Sequence, residues 1–328
     1  MTKYVKLAAM AGYQPERVVT NDELSQFIDT SDEWIQSHTG IKERHYAIDE
    51  NTSDLGTQVA RKLLAQTGME ATEIDLIIVA TISPDALTPA TAAIVQGNIG
   101  AIKAFAYDIS TACSGFVFAL STAEKFLRSG AYQNAIVIAA ETMSKTMDFK
   151  DRTSAVFFGD GAAGALLTTT DNPAEEIFHG EKLCTQGDKD VIHSGRVQPL
   201  SQVTGDNYPV MDAFYQNGRA VFEFATTTVL AHIKEFMQEH NLQADEIDMV
   251  VPHQANLRII EKLSQGLGIP LEKFAINVQT AGNTSAAGIP LALNQELAKG
   301  KRPQKALLVG FGAGLSYATM LVDLSYFN

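Results

Sequence analysis

"FAYDISTACSG", Phe105–Gly115, and "FAINVQTAGNT", Phe274–Thr284, share the pattern Phe-Ala-x-Asp/Asn-Ile/Val-x-Thr-Ala at a shift of 169 residues. Two further pairs keep the same order. "EIDLIIVA" from Glu73 matches "EIDMVVPH" from Glu246 at a shift of 173, and "AIVIAAE" from Ala135 matches "ALLVGFG" from Ala306 at 171. Three ordered matches at a nearly constant shift indicate an internal duplication of about 170 residues. Only two copies fit in 328 residues, so one fold is built twice and a solenoid is excluded. The expected halves are residues 1–172, which carry Cys113, and 173–328, which carry His253 and Asn283.

Each half alternates strand and helix patterns. "LIIVA", "AIVIAA", "AGALLTT", "MVVP", "ALLVGF" and "ATMLV" are short apolar runs without alternation, as expected of strands covered on both faces. Phe116, Leu120, Ala123 and Leu127 fall on one helical stripe, with Gly130 as a stop. Phe224, Thr228, Ala231 and Phe236 lie in another helical stretch. The alternation predicts an α/β fold with mostly parallel sheets. Residues 171–215, with scattered Gly, Pro, Asn and Asp, should contain the join between the copies and a surface excursion.

Bulk properties narrow the class. Hydrophobic residues make up 45% and charged residues 19%, an ordinary globular composition. A net charge of −13 argues against general nucleic-acid binding, which needs a basic footprint. No apolar run approaches the roughly 20 residues of a membrane span. The first residues read as a strand and not as a signal peptide. Two cysteines then argue for a reducing compartment, and a cytoplasmic protein is expected.

The duplication also locates a site. Strand-to-helix turns in such folds lie at the carboxyl ends of strands, where ligands bind. The repeat pairs Cys113 with Gly282 and Ser114 with Asn283. It puts His253 at the end of "MVVP", matching Ala80, and Ala313 just past "LLVGF". If the halves pack about a pseudo-twofold axis, these positions converge. A thiol has a reference pKa of about 8.5, and a helix N-terminus favours its anion. Small neighbours leave room for a substrate, and the apolar helix behind would hold the nucleophile still. Most lone cysteines are buried small hydrophobes, but the strand-end placement favours chemistry here. A lone histidine is usually structural, and Asn283 alone would suit a helix N-cap. Together, Cys, His and Asn suit a thiol nucleophile with two donors for a carbonyl oxygen.

"DISTACSGF", "VPHQANLRII", "AGNTSAAGIP" and "GFGAGLSYA" resemble the signature stretches of 3-oxoacyl-(acyl-carrier-protein) synthase III, the initiating condensing enzymes of bacterial type II fatty-acid synthesis. "SDEWIQSHTGIKERH" and "DRTSAVFFGDGAAGALL" match too, so the resemblance spans the chain. It implies an α/β, thiolase-like fold, five layers αβαβα from two duplicated mixed-sheet halves, as a homodimer. The implied reaction joins acetyl-CoA, or another short acyl-CoA primer, to malonyl-(acyl carrier protein). It needs no metal or other cofactor. By motif, Cys113 takes the acyl group, the backbone N–H groups of Cys113 and Ala313 hold the oxyanion, and His253 and Asn283 stabilise the enolate left by decarboxylation. Trp34, the only tryptophan, and Arg152 would sandwich the CoA adenine; plain packing is the alternative for Trp34. Gln254, Ala255, Asn256, Leu257 and Arg258 match the carrier-protein stretch. Lys262 shares a helix face with Arg258 but reads as solvated. His38 stands where some relatives have arginine near the CoA phosphates. Thr88 stands where some have phenylalanine lining the partner's acyl pocket, so chain-length preference stays open.

Other signals weigh less. "GDGAAG", Gly159–Gly164, satisfies G-x-G-x-x-G but precedes a strand, so it reads as a turn and not a dinucleotide site. Cys184 reads as structural, and no cluster has metal-ligand spacing. Papain-like proteases share Cys, His and Asn but not this cysteine motif. A degradative thiolase needs a second cysteine, which "GFGAGLS" lacks. Elongating condensing enzymes use two histidines, and plant-type polyketide synthases are longer. A hydroxymethylglutaryl-CoA synthase needs a catalytic glutamate with no assignable position. An acyl-CoA condensing enzyme of secondary metabolism and a non-catalytic carrier-protein-binding relative remain as alternatives.

Overall fold

The strand-like runs pair into two sheets of matching order in a computed structural model that describes residues 3–195 and 211–327. The first sheet contains β1 (Tyr4–Tyr13), β2 (Leu76–Ala80), β3 (Phe105–Ile109), β4 (Asn134–Thr142) and β5 (Asp160–Thr170). Its order is β1-β5-β4-β2-β3, with β4, β2 and β3 mutually parallel and β1 and β5 joined by antiparallel pairings. The second contains β6 (Phe178–Asp188), β7 (Met249–Pro252), β8 (Ala306–Gly312) and β9 (Gly314–Val322), in the order β6-β9-β8-β7. The counterparts follow strand by strand. Only β3 lacks a full partner; in its place Phe274 makes a single parallel bridge to Val250. Both sheets are mixed, as the family resemblance implies, whereas the alternation alone predicted mostly parallel ones. Each half ends in an antiparallel return strand that the strand–helix pattern does not reveal. The predicted join lies between Thr170 and Phe178; residues 196–210 of the predicted excursion lie outside the described residues.

The helices longer than one turn are α1 (Asp32–Thr39), α2 (Thr52–Thr67), α3 (Thr91–Ile99), α4 (Gly115–Arg128), α5 (Gly218–Phe224), α6 (Leu230–Glu239), α7 (Leu257–Leu267) and α8 (Gly288–Ala298). A π-helical turn, Ala225–Val229, joins α5 to α6. Strand alternation decides the layers. Leu76, Ile78 and Ala80 pack with Phe116 and Leu120 of α4 and Ile289 and Leu293 of α8, in a core that also holds Met249, Val251 and Leu308. Ile77 and Val79 point the other way, onto Leu55 and Val59 of α2 and Val95 of α3. Val250, Leu307 and Val309 meet Ile233 and Phe236 of α6 and Ile259 and Leu263 of α7. Helices α4 and α8 are therefore the middle of five layers, αβαβα. Phe116, Leu120, Ala123 and Leu127 are all buried, as their stripe predicted.

One expectation is corrected. Asp160–Gly164 of "GDGAAG" is no turn; it opens β5 and pairs with β4 from Thr142 to Ile138. Its small residues answer to crowding. A Cβ on Gly164 would lie 2.5 Å from the Val137 carbonyl oxygen, and one on Gly159 2.2 Å from that of Ala281.

Candidate active site

The nucleophile turn is built by close backbone approaches. After β3 the chain makes a 3-10 turn, Ala112–Ser114, and enters α4 at Gly115. Ala112 sits at φ 46°, a left-handed conformation that costs a non-glycine residue about 1 kcal/mol or more. A Cβ on Gly115 would be 2.9 Å from that of Ala80. Strand β8 passes directly against the turn. A Cβ on Gly310 would meet Ser114 Cα at 2.8 Å, and one on Gly312 would meet Cys113 N and Cβ at 2.9 Å. The glycines of "GFGAG" are what let Ala313 follow beside Cys113.

The second half repeats this turn at a different place from the one the sequence alignment predicted. Ser285–Ala287 is the 3-10 turn before α8, with Ser285 at φ 50°. Ala112 therefore pairs with Ser285 and Cys113 with Ala286; Gly282 and Asn283 are not the counterparts of Cys113 and Ser114. A one-turn helix, Val278–Ala281, is inserted after the Phe274 stretch and adds the four residues that change the shift from 169 to 173. Asn283 lies in the chain leaving that insertion. Its backbone N–H donates to Phe157 O at 2.8 Å and its carbonyl accepts from Gly159 N at 3.1 Å. Its side-chain Oδ1 accepts from Ser285 N at 2.9 Å. With the oxygen held, the amide N–H₂ is the end left for a ligand.

Cys113, His253, Asn283 and Ala313 line one cavity of about 70 Å³, walled by Phe157, Phe158, Phe214, Phe224 and Phe311. This volume exceeds what a single water needs. His253, at the end of β7, is 2% exposed and stands edge-on to Phe311 at 5.1 Å. Burial lowers its pKa from 6.5 to about 3, so the ring is neutral. Nδ1 is buried with no partner among the described residues. An orphaned N–H costs more than an orphaned lone pair, which favours the tautomer with its proton on Nε2. Cys113 departs from expectation. Burial pushes its thiol up to about 12, outweighing its hydrogen bonds with Ser285 and the turn's own backbone, while the charge of Glu141 adds to the rise. The helix N-terminus therefore does not make a resting thiolate.

The predicted binding residues separate. Arg152 lies 5.5 Å over the Trp34 ring, and His38 stacks on the same indole at 4.3 Å. Within 254–258, Gln254 is fully buried. Its amide donates to Pro252 O and Ala275 O, and its oxygen accepts from Asn277 N. Ala255 is buried too, Asn256 caps α7 through Ile259 N, and Leu257 packs against Gly40. Only Arg258 is exposed. Thr88 is exposed and does not line this chain's cavity. Cys184 approaches His232 Nδ1 at 3.8 Å. Among the described residues no cluster of His, Cys, Asp or Glu could hold a metal, and no helix is long and apolar enough to cross a membrane.

Two residues at the site lie outside the predicted set. Ser285 Oγ lies 3.5 Å from Cys113 Sγ. Glu141, at the end of β4, is fully buried and gathers donors from Thr81, Ile82 and Ser83. A charge closing an otherwise apolar run, "AIVIAAE", was the available signal.

Known proteins resemble the chain in sequence and fold. Residues 107–187 match the family described as 3-Oxoacyl-[acyl-carrier-protein (ACP)] synthase III, and residues 237–324 match its C-terminal part. The beta-ketoacyl-[acyl-carrier-protein] synthase III 1 of Lactiplantibacillus plantarum is 57% identical over 98% of this chain and 99% of its own. The synthase III of Streptococcus sanguinis is 47% identical, again over 98% of this chain and 99% of its own. The crystal structure of 3-oxoacyl-[acyl-carrier-protein] synthase III from Aquifex aeolicus superposes with a TM-score of 0.89 at 36% identity, over 97% of this chain and 99% of that one. The chain thus has the thiolase-like fold and belongs to the 3-oxoacyl-(acyl-carrier-protein) synthase III family, the acyl-transferring condensing enzymes that initiate fatty-acid synthesis.

Proposed function

We propose that the protein condenses acetyl-CoA, or another short acyl-CoA, with malonyl-(acyl carrier protein), giving acetoacetyl-(acyl carrier protein), CO₂ and CoA. The observation that carries this reading is the convergence of Cys113, His253 and Asn283 on one cavity with the Asn283 oxygen already engaged. In the first half-reaction the Cys113 sulfur bonds to the acyl carbon and the bond to the CoA sulfur breaks. The N–H groups of Cys113 and Ala313 hold the oxyanion; the tight seating of Gly312 on Cys113 supports that pairing. CoA leaves before the malonyl thioester enters, a ping-pong order. Loss of CO₂ then leaves an enolate whose oxygen accepts from His253 Nε2–H and the Asn283 amide. A neutral histidine suits that task, because it donates without first needing a proton. The enolate carbon attacks the acyl-Cys113 carbonyl and the Cys113 sulfur leaves. One proton is consumed overall.

The halves 1–172 and 173–328 divide this work, the first holding the nucleophile and the second both side-chain donors. Trp34 and Arg152 bind the CoA adenine, and Arg258 meets the acidic carrier protein. The protein acts in the cytoplasm as a homodimer. The open edge of β3, with half-buried Phe105 and Tyr107, and the exposed Leu87 and Ile102 support self-association. No further cofactor is invoked.

The test is intact mass before and after acetyl-CoA, then after malonyl-(acyl carrier protein). An acetyl adduct on Cys113 that is discharged as product forms is expected. His253→Ala and Asn283→Ala should still acylate and lose condensation. An adduct that survives Cys113→Ala refutes the mechanism.

A further inference from the structure

Neither Cys113 nor His253 explains where the thiol proton goes. The sulfur is a neutral thiol, and the imidazole is a very weak base. Glu141 offers an alternative. It is a fully buried carboxylate that forms no ion pair among the described residues, an unusual burden for a folded chain. It accepts from Thr81 Oγ1 at 3.0 Å, from Ile82 N at 3.1 Å, and from Ser83 N and Oγ at 3.1 and 2.6 Å. The Ser285 hydroxyl, in a turn packed against the end of β4, is a further group that favours its ionised form. Once the Ser285 hydroxyl hydrogen points at Glu141, its oxygen is the acceptor for Cys113 S–H at 3.5 Å. The other donors come from the segment after β2, and Cys113 is the titratable group reached through Ser285.

We propose that Cys113, Ser285 and Glu141 form a proton relay in which Glu141 is the base for acylation. As the Cys113 sulfur bonds to the acyl carbon, its proton passes to Ser285 Oγ, and the Ser285 proton passes to Glu141. The CoA thiolate leaves and takes a proton from solvent. Through the acyl-enzyme stage Glu141 stays protonated; burial, which raises its pKa, makes that state accessible. When condensation expels the Cys113 thiolate, the proton returns by the same path. Each cycle then consumes one proton and leaves Glu141 ionised again. The relay rests on Cys113 being the nucleophile proposed above.

Alkylation of Cys113 by iodoacetamide, followed by peptide mapping across pH, tests the relay without any substrate. Glu141→Gln and Ser285→Ala should each slow alkylation at least about tenfold near neutral pH, and Glu141→Asp should restore part of the rate. Ser285→Ala keeps the backbone N–H that holds Asn283, so the turn itself stays tied in that variant. A carboxylate acting only through its charge predicts the opposite, because its removal eases thiol ionisation and speeds alkylation. An unchanged or faster rate in either variant, with a wild-type melting curve, overturns the relay. Should Glu141→Gln fold poorly, Ser285→Ala alone decides. Wild-type acetylation by acetyl-CoA is measured in parallel; its absence alongside slowed alkylation refutes the proposed reaction and leaves the relay standing.

Discussion

Ala112 and Ser285 are counterparts, each bearing a positive φ, 46° and 50°, in the turn that feeds a buried central helix. The duplication kept the strained backbone and let the side chains diverge. One turn presents Cys113 and the other presents the Ser285 hydroxyl, and the two meet at 3.5 Å. The halves therefore join at the chemistry itself.

Gly312→Ala is expected to damage catalysis far more than stability. The new Cβ would lie 2.9 Å from Cys113 N and Cβ, so β8 or the nucleophile must shift by a few tenths of an ångström or more. Misplacement approaching 1 Å costs on the order of a hundredfold in rate. Condensation kinetics with a thermal melt check this; full activity would mean the strand can give.

Much of this was readable beforehand, because long-range order left a local trace. The repeat marked the strand ends, and the motifs around Cys113, His253, Asn283 and Ala313 led to one cavity. The four-residue insertion at Val278–Ala281 was not readable, since "FAINVQTAGNT" continues the match through it. Glu141 was missed because one buried charge has no period. The burial of Gln254 left no sequence trace, because a polar residue in a loop looks exposed, whereas its amide satisfies backbone groups of two segments. "GDGAAG" was misread because glycines that allow close sheet packing look like glycines that turn.

Trp34 is the chain's only tryptophan, so its fluorescence reports one place. With Arg152 and His38 against the indole, CoA binding should displace at least one of them and change the emission. Trp34→Ala should raise KM for the acyl-CoA about two- to fivefold, in keeping with 0.5–1 kcal/mol for an exposed cation–π contact, and leave kcat nearly unchanged. Emission indifferent to saturating CoA would remove Trp34 from the site.

Arg258→Glu should separate the two substrates. Arg258 is the exposed side chain of its stretch, on the first turn of α7. Charge reversal should weaken use of the carrier-protein substrate roughly fivefold at low salt, less as salt is added, with acylation by acyl-CoA untouched. Loss of both half-reactions would point to a folding defect.

His253 sets an acid limit on the fold. Its pKa falls from 6.5 to about 3 on folding, so between those values the unfolded chain binds the proton and the native chain does not. Stability contributed by the neutral ring is full above about pH 6.5 and is lost as pH falls toward 3, with a slope of at most ~1.4 kcal/mol per pH unit. Denaturant titrations from about pH 7 to 4 should show that slope in the wild type and a shallower one in His253→Gln. Decarboxylation by the wild type should meanwhile show no His253 limb near pH 6.5, because the native ring stays neutral there. A limb at that pH, absent from Asn283→Ala and His253→Gln background rates, would mean the cavity admits enough water to charge the ring.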